Sequence, residues 1–453
     1  MKLLILILTV FSINYLLADE IHNYRRSSLH LVLVETESFP KKEIVMNAWN
    51  NYPFPDKYND HSVSIKNMDP DKYVIERPKK AEVKEEDKKE DGEKEKKKSR
   101  FGGIKNSMSK AASEASASAA EAKAEMEWES KRISGELNRM KIDSFLLENK
   151  LAHQLVAKWF NEKDGSFDMK LVQERGFYNA SEMEASIAKG QARGLASLGD
   201  AGEELIKNTF VVFSKPTFIA NEPVARAAKE IADQKANQIS NSLLRNKALK
   251  ASQVAYEKAK EGYSVWTRTW LYQLKWNEEI ENTFYSEHWG NFEAFNNSDI
   301  YKIEYVGSEL SQSLVVFSLT EKRTEEEVIN LATVRNLDKV FAKLQKEYDV
   351  FKPKVPIISL DPIKAQIGMK EGLEGGEKFE VLEMVFDEEK GTTSYEKIST
   401  IKVEKGKVWD NRYNAGQLVS PDSESNRNAS NLNATEFTKS RKARVGMLLR
   451  QKK

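Results

Sequence analysis

The sequence predicts an α+β fold with a helix-rich central region, antiparallel β elements and a small C-terminal β-domain. Three patterns support this prediction. Apolar residues recur at helical spacing through much of the middle of the chain, one aromatic-rich stretch alternates with the period of two typical of a strand, and short apolar runs separated by glycine and charged turns fill the C-terminal region. With 453 residues the chain is also longer than one hydrophobic core usually serves, so we expect several domains.

The first residues predict export. Met1-Lys2 is followed by an apolar run over residues 3–11 and by Leu16-Leu17-Ala18, the pattern of a signal peptide with cleavage after Ala18. A membrane anchor is the alternative, but polar residues interrupt the run well short of the ~20 apolar residues that a span needs. We therefore expect an exported protein that is periplasmic, associated with an outer membrane or extracellular, with no transmembrane span after removal of the signal peptide.

The composition excludes several classes of protein. Lysine and arginine number 71 and aspartate and glutamate number 70, which gives a formal net charge of +1 and disfavours a nucleic-acid binder. The chain contains no cysteine, so disulfides, a thiolate zinc site and a cysteine nucleophile are excluded. The five histidines show no paired spacing, and the motifs of nucleotide binding and serine hydrolysis do not occur. We therefore expect no cofactor.

Residues 19–78 are expected to form an N-terminal element of one strand and a long loop. The run at residues 28–35 is continuously apolar and has the length of a buried strand, and the prolines, Asn and Asp at residues 53–61 indicate a loop. Most of the following residues are charged, with both signs interleaved. Because such a segment buries too little apolar area to offset its ordering entropy, residues 79–106 are predicted to be a flexible linker.

A central α+β domain with long helices is predicted for residues 107–350. A helical stretch at residues 223–262 is long enough for a single helix, but a break near Asn241 or Asn246 would turn it into a helical hairpin, which we favour. Another helix is predicted to begin at Thr324, because the sequence Thr-Glu-Glu-Glu supplies a capping box with the last glutamate.

The clearest strand prediction covers residues 264–277. Four of its aromatic residues fall on one face by period two: Trp266, Trp270, Tyr272 and Trp276. Such rings pack a core more often than they stack a sugar or an aliphatic ligand, so the structural interpretation is favoured and the four remain a candidate ligand-binding set. Two more strands are predicted at residues 301–306 and 313–319, separated by Gly307.

The C-terminal β-domain is predicted for residues 351–453. Short apolar runs with strand length lie at residues 355–360, 379–386, 398–403 and 443–449. The polar residues 411–438, rich in Ser and Asn, predict a disordered loop within this domain.

Oxygen-bearing side chains cluster in the loop of the N-terminal element. They belong to Asp56, Asn59, Asp60 and His61, and oxygen ligands of this kind suit a hard cation such as calcium. The same residue types also hydrogen-bond their own backbone in turns, and this second interpretation is favoured. The four residues remain a candidate metal site.

Three motifs carry a resemblance to a known group of proteins. They are Pro53-Phe-Pro-Asp-Lys-Tyr-Asn-Asp-His61, Gly199-Asp-Ala-Gly-Glu-Glu-Leu-Ile-Lys-Asn-Thr-Phe-Val211 and Trp270-Leu-Tyr-Gln-Leu-Lys-Trp276. They resemble motifs of uncharacterised exported proteins from Bacteroidetes-type bacteria, which implies an envelope location and no particular activity. Residues 372–386 and 398–403 are weakly similar to β-domains of curli-secretion-like assembly proteins, whose lipidated cysteine is missing from this chain.

These observations favour a non-enzymatic, exported cell-envelope protein that acts in binding or assembly, with an envelope protein or a glycan as its partner. The alternative is a secreted hydrolase that uses paired carboxylates, such as a glycosidase. Its first candidate acids would be Glu279, Glu281 and Glu287, which lie close to the aromatic strand in the sequence.

Overall fold

The computed structural model describes residues 24–75, 135–178, 202–260, 263–315, 324–387, 392–415 and 432–452. These residues form helices together with one mixed and one antiparallel sheet, which confirms the predicted α+β fold. The predicted signal peptide (residues 1–18) and the predicted linker (residues 79–106) lie outside the described residues.

The bounds of the described elements are as follows. The α-helices are α1 (Lys42–Asn50), α2 (Glu136–Glu148), α3 (Leu151–Trp159), α4 (Lys170–Tyr178), α5 (Gly202–Lys207), α6 (Asn221–Asn237), α7 (Ser242–Ala259), α8 (Glu278–Thr283), α9 (Phe292–Asn297) and α10 (Glu325–Glu347). The strands are β1 (Ser28–Val34), β2 (Asn59–Asp60), β3 (Asn67–Met68), β4 (Thr209–Ala220), β5 (Tyr263–Leu274), β6 (Ile303–Val315), β7 (Lys354–Leu360), β8 (Ile363–Ala365), β9 (Lys378–Asp387), β10 (Thr392–Lys402), β11 (Thr435–Phe437) and β12 (Leu448–Gln451).

The chain divides into two compact units. One consists of Met1–Met68 and Lys150–Lys453 and contains both sheets, and the other consists of Asp69–Asn149. Inside the smaller unit, the ring of Tyr73 meets the ring of Phe145 on α2 edge-on at 6.0 Å. This division differs from the predicted domain boundaries, because the structure joins the predicted N-terminal element and the C-terminal β-domain to the central domain.

The first sheet explains why the N-terminal strand belongs to the larger unit. The strand order is β2-β1-β4-β5-β6, and β3 also pairs with β1. β1 runs parallel to β2, β3 and β4, whereas β4, β5 and β6 are antiparallel neighbours. The continuous apolar run of β1 is buried on both faces, as is typical of a strand inside a parallel arrangement. β1 also has β2 on one edge and β4 on the other, so the predicted N-terminal element is part of the first sheet and does not form a separate element.

Strand β6 is continuous where the sequence predicts two strands separated by Gly307. The register with β5 shifts by one residue at this point, which marks a β-bulge. A Cβ atom on Gly307 would fall on the ring of Tyr348, whose hydroxyl donates to the carbonyl oxygen of Ser308 at 3.2 Å. The glycine therefore lets an aromatic ring lie against the strand and does not end it.

Helix α10 begins at the predicted capping box. The Thr324 hydroxyl accepts from the backbone N–H of Glu327 at 3.2 Å, and the Glu327 carboxylate accepts from the backbone N–H of Thr324 at 2.8 Å. The apolar side of the helix packs on one face of the first sheet. That core consists of Leu29, Tyr58, Phe210, Val212, Leu271, Val340, Phe341, Leu344 and Phe351.

The hairpin of α6 and α7 connects β4 to β5. The break near Asn241 is confirmed, since α6 ends at Asn237 and α7 begins at Ser242. The Asn241 side chain accepts from the backbone N–H groups of Leu243 at 3.0 Å and Leu244 at 3.1 Å, which satisfies two amides at the start of α7.

The second sheet is built from strands between Lys354 and Gln451, within the range predicted for the C-terminal β-domain. Its strand order is β10-β9-β12-β7-β8-β11, and all its described pairs are antiparallel. β11 lies inside the stretch 411–438 that the sequence predicts to be disordered, so that prediction is wrong for this strand. Thr435 and Phe437 are buried because β11 pairs with β8. Residues 416–431 of the predicted loop lie outside the described residues.

Candidate functional site

A carboxylate is buried on α10, beside the short helical turn Met369–Glu371. Asp338 lies on α10 next to Leu337, which belongs to the buried side of the helix, and only 4% of Asp338 is exposed. The hydroxyl of Tyr52 donates to Oδ1 of Asp338 at 2.9 Å. The other oxygen, Oδ2, is buried and has no hydrogen-bond partner among the described residues. An unsatisfied buried oxygen is costly, so this one calls for an explanation.

Burial controls the protonation of this acid. It raises the pKa of Asp338 from 3.8 to about 6; Lys370 and the Tyr52 hydroxyl oppose the rise, while Glu371 and Asp56 add to it. Asp338 therefore exchanges its proton closer to neutral pH than an ordinary aspartate does.

Four charged residues beside Asp338 form a compact network. The Asp56 carboxylate lies 2.8 Å from Nζ of Lys57 and 3.6 Å from Nζ of Lys370. Burial raises the pKa of Asp56, but the charges of Lys57 and Lys370 outweigh it and leave the pKa below its usual value. Burial lowers the pKa of Lys57, but Glu371 and Asp56 outweigh that effect and raise it. Asp56 and Lys57 thus remain charged beside an acid that is readily protonated.

The short helical turn Met369–Glu371 holds Lys370 and Glu371 in place. The Glu371 carboxylate accepts from the backbone N–H of Gly368 at 2.8 Å and from the side-chain amide of Asn411 at 2.9 Å. The Asn411 carbonyl in turn accepts from the backbone N–H of Lys370 at 2.8 Å. A Cβ atom on Gly368 would collide with the backbone of Trp409, so glycine is required for this close approach.

Asp338 and Lys370 line a cavity of about 500 Å³. The lining side chains come from α10, from the turn after Met369, from β6 and from the loop at Arg412: Ser313, Arg335, Asp338, Lys339, Ala342, Met369, Lys370, Leu373, Glu374 and Arg412. Four of them are basic and two are acidic, so the formal charge of the lining is positive. A volume of this size lies within the range of small-molecule sites.

Two of the basic residues are oriented by nearby groups. Arg412 forms a two-point contact with Asp410, at 2.8 Å through Nε and 2.7 Å through Nη2. Arg335 donates through Nη2 to the carbonyl oxygen of Asn414 at 3.1 Å. These contacts hold both guanidinium groups beside the cavity, which reduces the entropy lost when a ligand binds.

A second, much smaller cavity of about 10 Å³ adjoins the same acid. Its lining includes Tyr52, Asp56, Tyr58, Asp338 and Glu371. This volume is about that of one water molecule, and its walls carry several polar groups.

The structure distributes the four candidate metal ligands over different contacts. Asp56 belongs to the network with Lys57 and Lys370. The Asn59 amide donates to the carbonyl oxygen of Arg25 at 3.1 Å, and the Asp60 carboxylate accepts from the backbone N–H of Ser62 at 2.8 Å.

The fourth candidate ligand, His61, is fully buried. Its Nε2 bonds the carbonyl oxygen of Leu155 at 2.9 Å, its Nδ1 lies 2.9 Å from Nη1 of Arg175, and its ring stacks on Trp159 at 4.7 Å. Within the described ranges, no group of three or more His, Cys, Asp or Glu side chains is arranged to hold a metal ion.

Three of the four candidate aromatic ligands are interior residues. Trp270 and Tyr272 are each 1% exposed and Trp276 is 2% exposed, whereas Trp266 is half-buried. Trp276 lies past the end of β5 in an aromatic cluster with Phe160 and Phe284, at centroid distances of 5.9 and 5.8 Å. Of the acids near this strand in the sequence, Glu279 and Glu287 are exposed and Glu281 is half-buried.

Of the charged residues around the two cavities, the sequence pattern predicts a site only at Asp56, and it does not predict one at Asp338, Lys370, Arg335 or Arg412. One pattern could have revealed Asp338. It lies four residues after Val334 and three before Phe341, which places a charged residue on the apolar side of a confidently predicted helix.

Comparisons with known proteins give no family for this chain. No protein-family model matches the sequence, and no curated protein is significantly similar to it. Among the residues that the structure describes, no helix combines the length and apolarity that a membrane span requires.

Proposed function

We propose that this chain is an exported cell-envelope protein that binds a small hydroxylated acid, such as a sugar acid, in the 500 Å³ cavity. The observation that carries the proposal is Asp338, a buried carboxylate that lines the cavity and has one oxygen without a donor among the residues that the structure describes. A ligand hydroxyl, reaching it directly or through one water molecule, satisfies that oxygen.

The charge of the lining supports an acidic ligand. Arg335, Lys339, Lys370 and Arg412 exceed the two lining acids, and guanidinium groups bind carboxylates in a two-point geometry. A neutral sugar would satisfy Asp338 but would make no ion pair with the basic residues of the lining. A simple anion without hydroxyl groups would do the reverse. A molecule with both groups, such as a uronic acid, fits the lining best and agrees with a glycan partner.

Isothermal titration calorimetry tests this proposal with glucuronate, glucose and inorganic phosphate as probes. We expect glucuronate to bind more tightly than either of the others. Lys370→Met and Asp338→Asn should each weaken glucuronate binding by about 10-fold or more, the cost of removing a charged hydrogen-bond partner. Glu304→Gln, which removes an exposed carboxylate on β6, is the matched control. Equal affinity for glucose, or full binding by both cavity variants, would refute the proposal.

Export is the second part of the proposal, and it rests on the apolar N-terminal run and on the resemblance to exported proteins of Bacteroidetes-type bacteria. Mass spectrometry of the native mature protein should find Asp19 as the first residue. Retention of Met1 would replace export through a cleaved signal peptide with membrane anchoring.

A carboxylate-dependent hydrolase is the second candidate, and the pKa of Asp338 is the observation that favours it. A carboxyl with a pKa of about 6 is suited to general acid catalysis near neutral pH, and Glu374 lines the same cavity. Release of p-nitrophenol from a p-nitrophenyl glucuronide would support this candidate if Asp338→Asn lowers the rate by about 100-fold or more. If the glucuronide binds but is not hydrolysed, the hydrolase candidate is refuted and the binding function stands.

A further inference from the structure

The residues around the turn of the α6–α7 hairpin carry positive charges and no negative charges. Between residues 234 and 256 the sequence has four basic residues and no acidic residue: Lys235, Arg245, Lys247 and Lys250. None of these four forms an ion pair with another described residue. The chain as a whole is balanced, with 71 basic and 70 acidic residues, so these residues carry a local excess of positive charge.

The same region exposes two leucines. Leu243 is 77% exposed and Leu244 is 54% exposed, although both lie in the first turn of α7, where the Asn241 cap fixes the backbone. We call residues 235–250 the hairpin tip. With 17 residues, α6 is about 25 Å long, so the tip lies well away from the sheet strands that the hairpin connects.

We propose that the hairpin tip docks on an anionic lipid surface. Exposed leucines flanked by lysine and arginine match the chemistry of the bilayer interface, where apolar side chains enter the boundary of the acyl chains and basic side chains meet the lipid phosphates. Charge argues against a second copy of the chain as the occupant. A symmetric contact between two tips would place the four basic residues of one copy against those of the other.

Vesicle sedimentation with the full chain tests the proposal. The protein should sediment with vesicles of phosphatidylglycerol mixed with phosphatidylcholine and remain in solution with vesicles of phosphatidylcholine alone. The pair Lys247→Gln and Lys250→Gln should weaken binding by about 25-fold, because each basic residue near an anionic surface contributes about fivefold. The pair Leu243→Asp and Leu244→Asp should weaken it by about 10-fold or more.

An equally exposed leucine elsewhere provides the control. Leu147 on α2 is also 77% exposed, so Leu147→Asp makes the same chemical change outside the tip and should leave vesicle binding unchanged. Leu147, Leu243 and Leu244 are all exposed, so none of these changes removes core packing. A thermal melt of each variant verifies folding. Equal losses at Leu147 and at the tip would overturn the proposal.

A single introduced thiol gives a second measurement, because the chain contains no cysteine. An environment-sensitive fluorophore on Leu243→Cys should brighten with anionic vesicles, and the same label on Leu147→Cys should not. Absence of any change at Leu243 would overturn docking through the tip. If light scattering shows an oligomer that Leu243→Asp dissociates, the tip is a contact between copies and the lipid proposal is overturned.

Discussion

Asp338→Asn should make the protein more stable near neutral pH and leave its stability almost unchanged in acid. The pKa of Asp338 rises from 3.8 to about 6 because the carboxyl is buried. The folded protein therefore holds this proton more tightly than the unfolded chain does. The contribution to stability is fully present below about pH 4 and is lost as the pH rises through about 6. At neutral pH the protein carries the cost of an ionised buried carboxylate.

The magnitude follows from the size of the pKa change. A rise from 3.8 to about 6 corresponds to about 3 kcal/mol at most, and the residue is 4% exposed, so solvent screening reduces this little. The new amide keeps an acceptor for Tyr52 but adds donors that need partners, which offsets part of the gain. We therefore expect the variant to gain at least about 1 kcal/mol over the parent near pH 8.

Urea denaturation of both proteins between about pH 4 and pH 8 measures the effect. The difference in free energy of unfolding should widen by about 2 kcal/mol across this interval. Glu304→Gln, at a carboxylate whose side chain is 61% exposed, should show no such widening. A difference that stays constant with pH would show that Asp338 titrates normally. A variant that becomes less stable than the parent as pH rises would show that ionised Asp338 is paired.

Three further predictions concern the fold. Trp270→Ala should lower the free energy of unfolding by roughly 3 to 5 kcal/mol in a denaturant melt, because Trp270 is 1% exposed, and a loss below about 1 kcal/mol would contradict its core role. Thr324→Ala should cost about 1 kcal/mol through loss of the α10 cap, whereas Thr324→Ser should restore most of it; equal melts for all three proteins would refute the capping argument. Gly307→Ala should lower the free energy of unfolding by about 1 to 3 kcal/mol, because the new methyl group meets the Tyr348 ring. In a protein that already carries Tyr348→Ala, the Gly307→Ala change should cost much less, and losses that simply add in the double variant would refute the contact.

Local patterns were sufficient for several elements. The capping box at Thr324 and the apolar spacing after it located α10, and Asn241 marked the break of the hairpin, because caps act through neighbouring backbone amides. α2 ends at Glu148 and α3 begins at Leu151, although Leu147, Leu151, Leu155 and Trp159 recur every four residues as in one continuous helix. Period-four spacing describes which side chains share a face, and it does not detect where one helix ends and the next begins.

Long-range pairing explains the remaining errors. β11 is short and polar in sequence, and it becomes a strand because β8 offers an unpaired edge to residues about 70 positions later in the chain. In the sequence, Gly307 indicates a break between two strands. In the structure, a glycine is needed there because the ring of Tyr348, which follows α10 in the chain, lies against the strand. In both cases the deciding partner is distant in sequence, so no local window contains the information.

The candidate site was hidden for the same reason. Its larger cavity is lined by separate parts of the chain, around Asp338, Lys370 and Arg412, and none of these parts carries a motif by itself, while Asp56 lines only the smaller cavity. α10 connects them because it has two functions in the fold. Val340, Phe341 and Leu344 pack in the core on the first sheet, while Asp338 on the same helix accepts from Tyr52 and lines the cavity with Lys370. A packing helix that keeps a costly carboxylate in this position sacrifices stability there. Such a cost is typical of residues retained for binding or catalysis, which is why we place the function at Asp338 and leave the aromatic strand to the core.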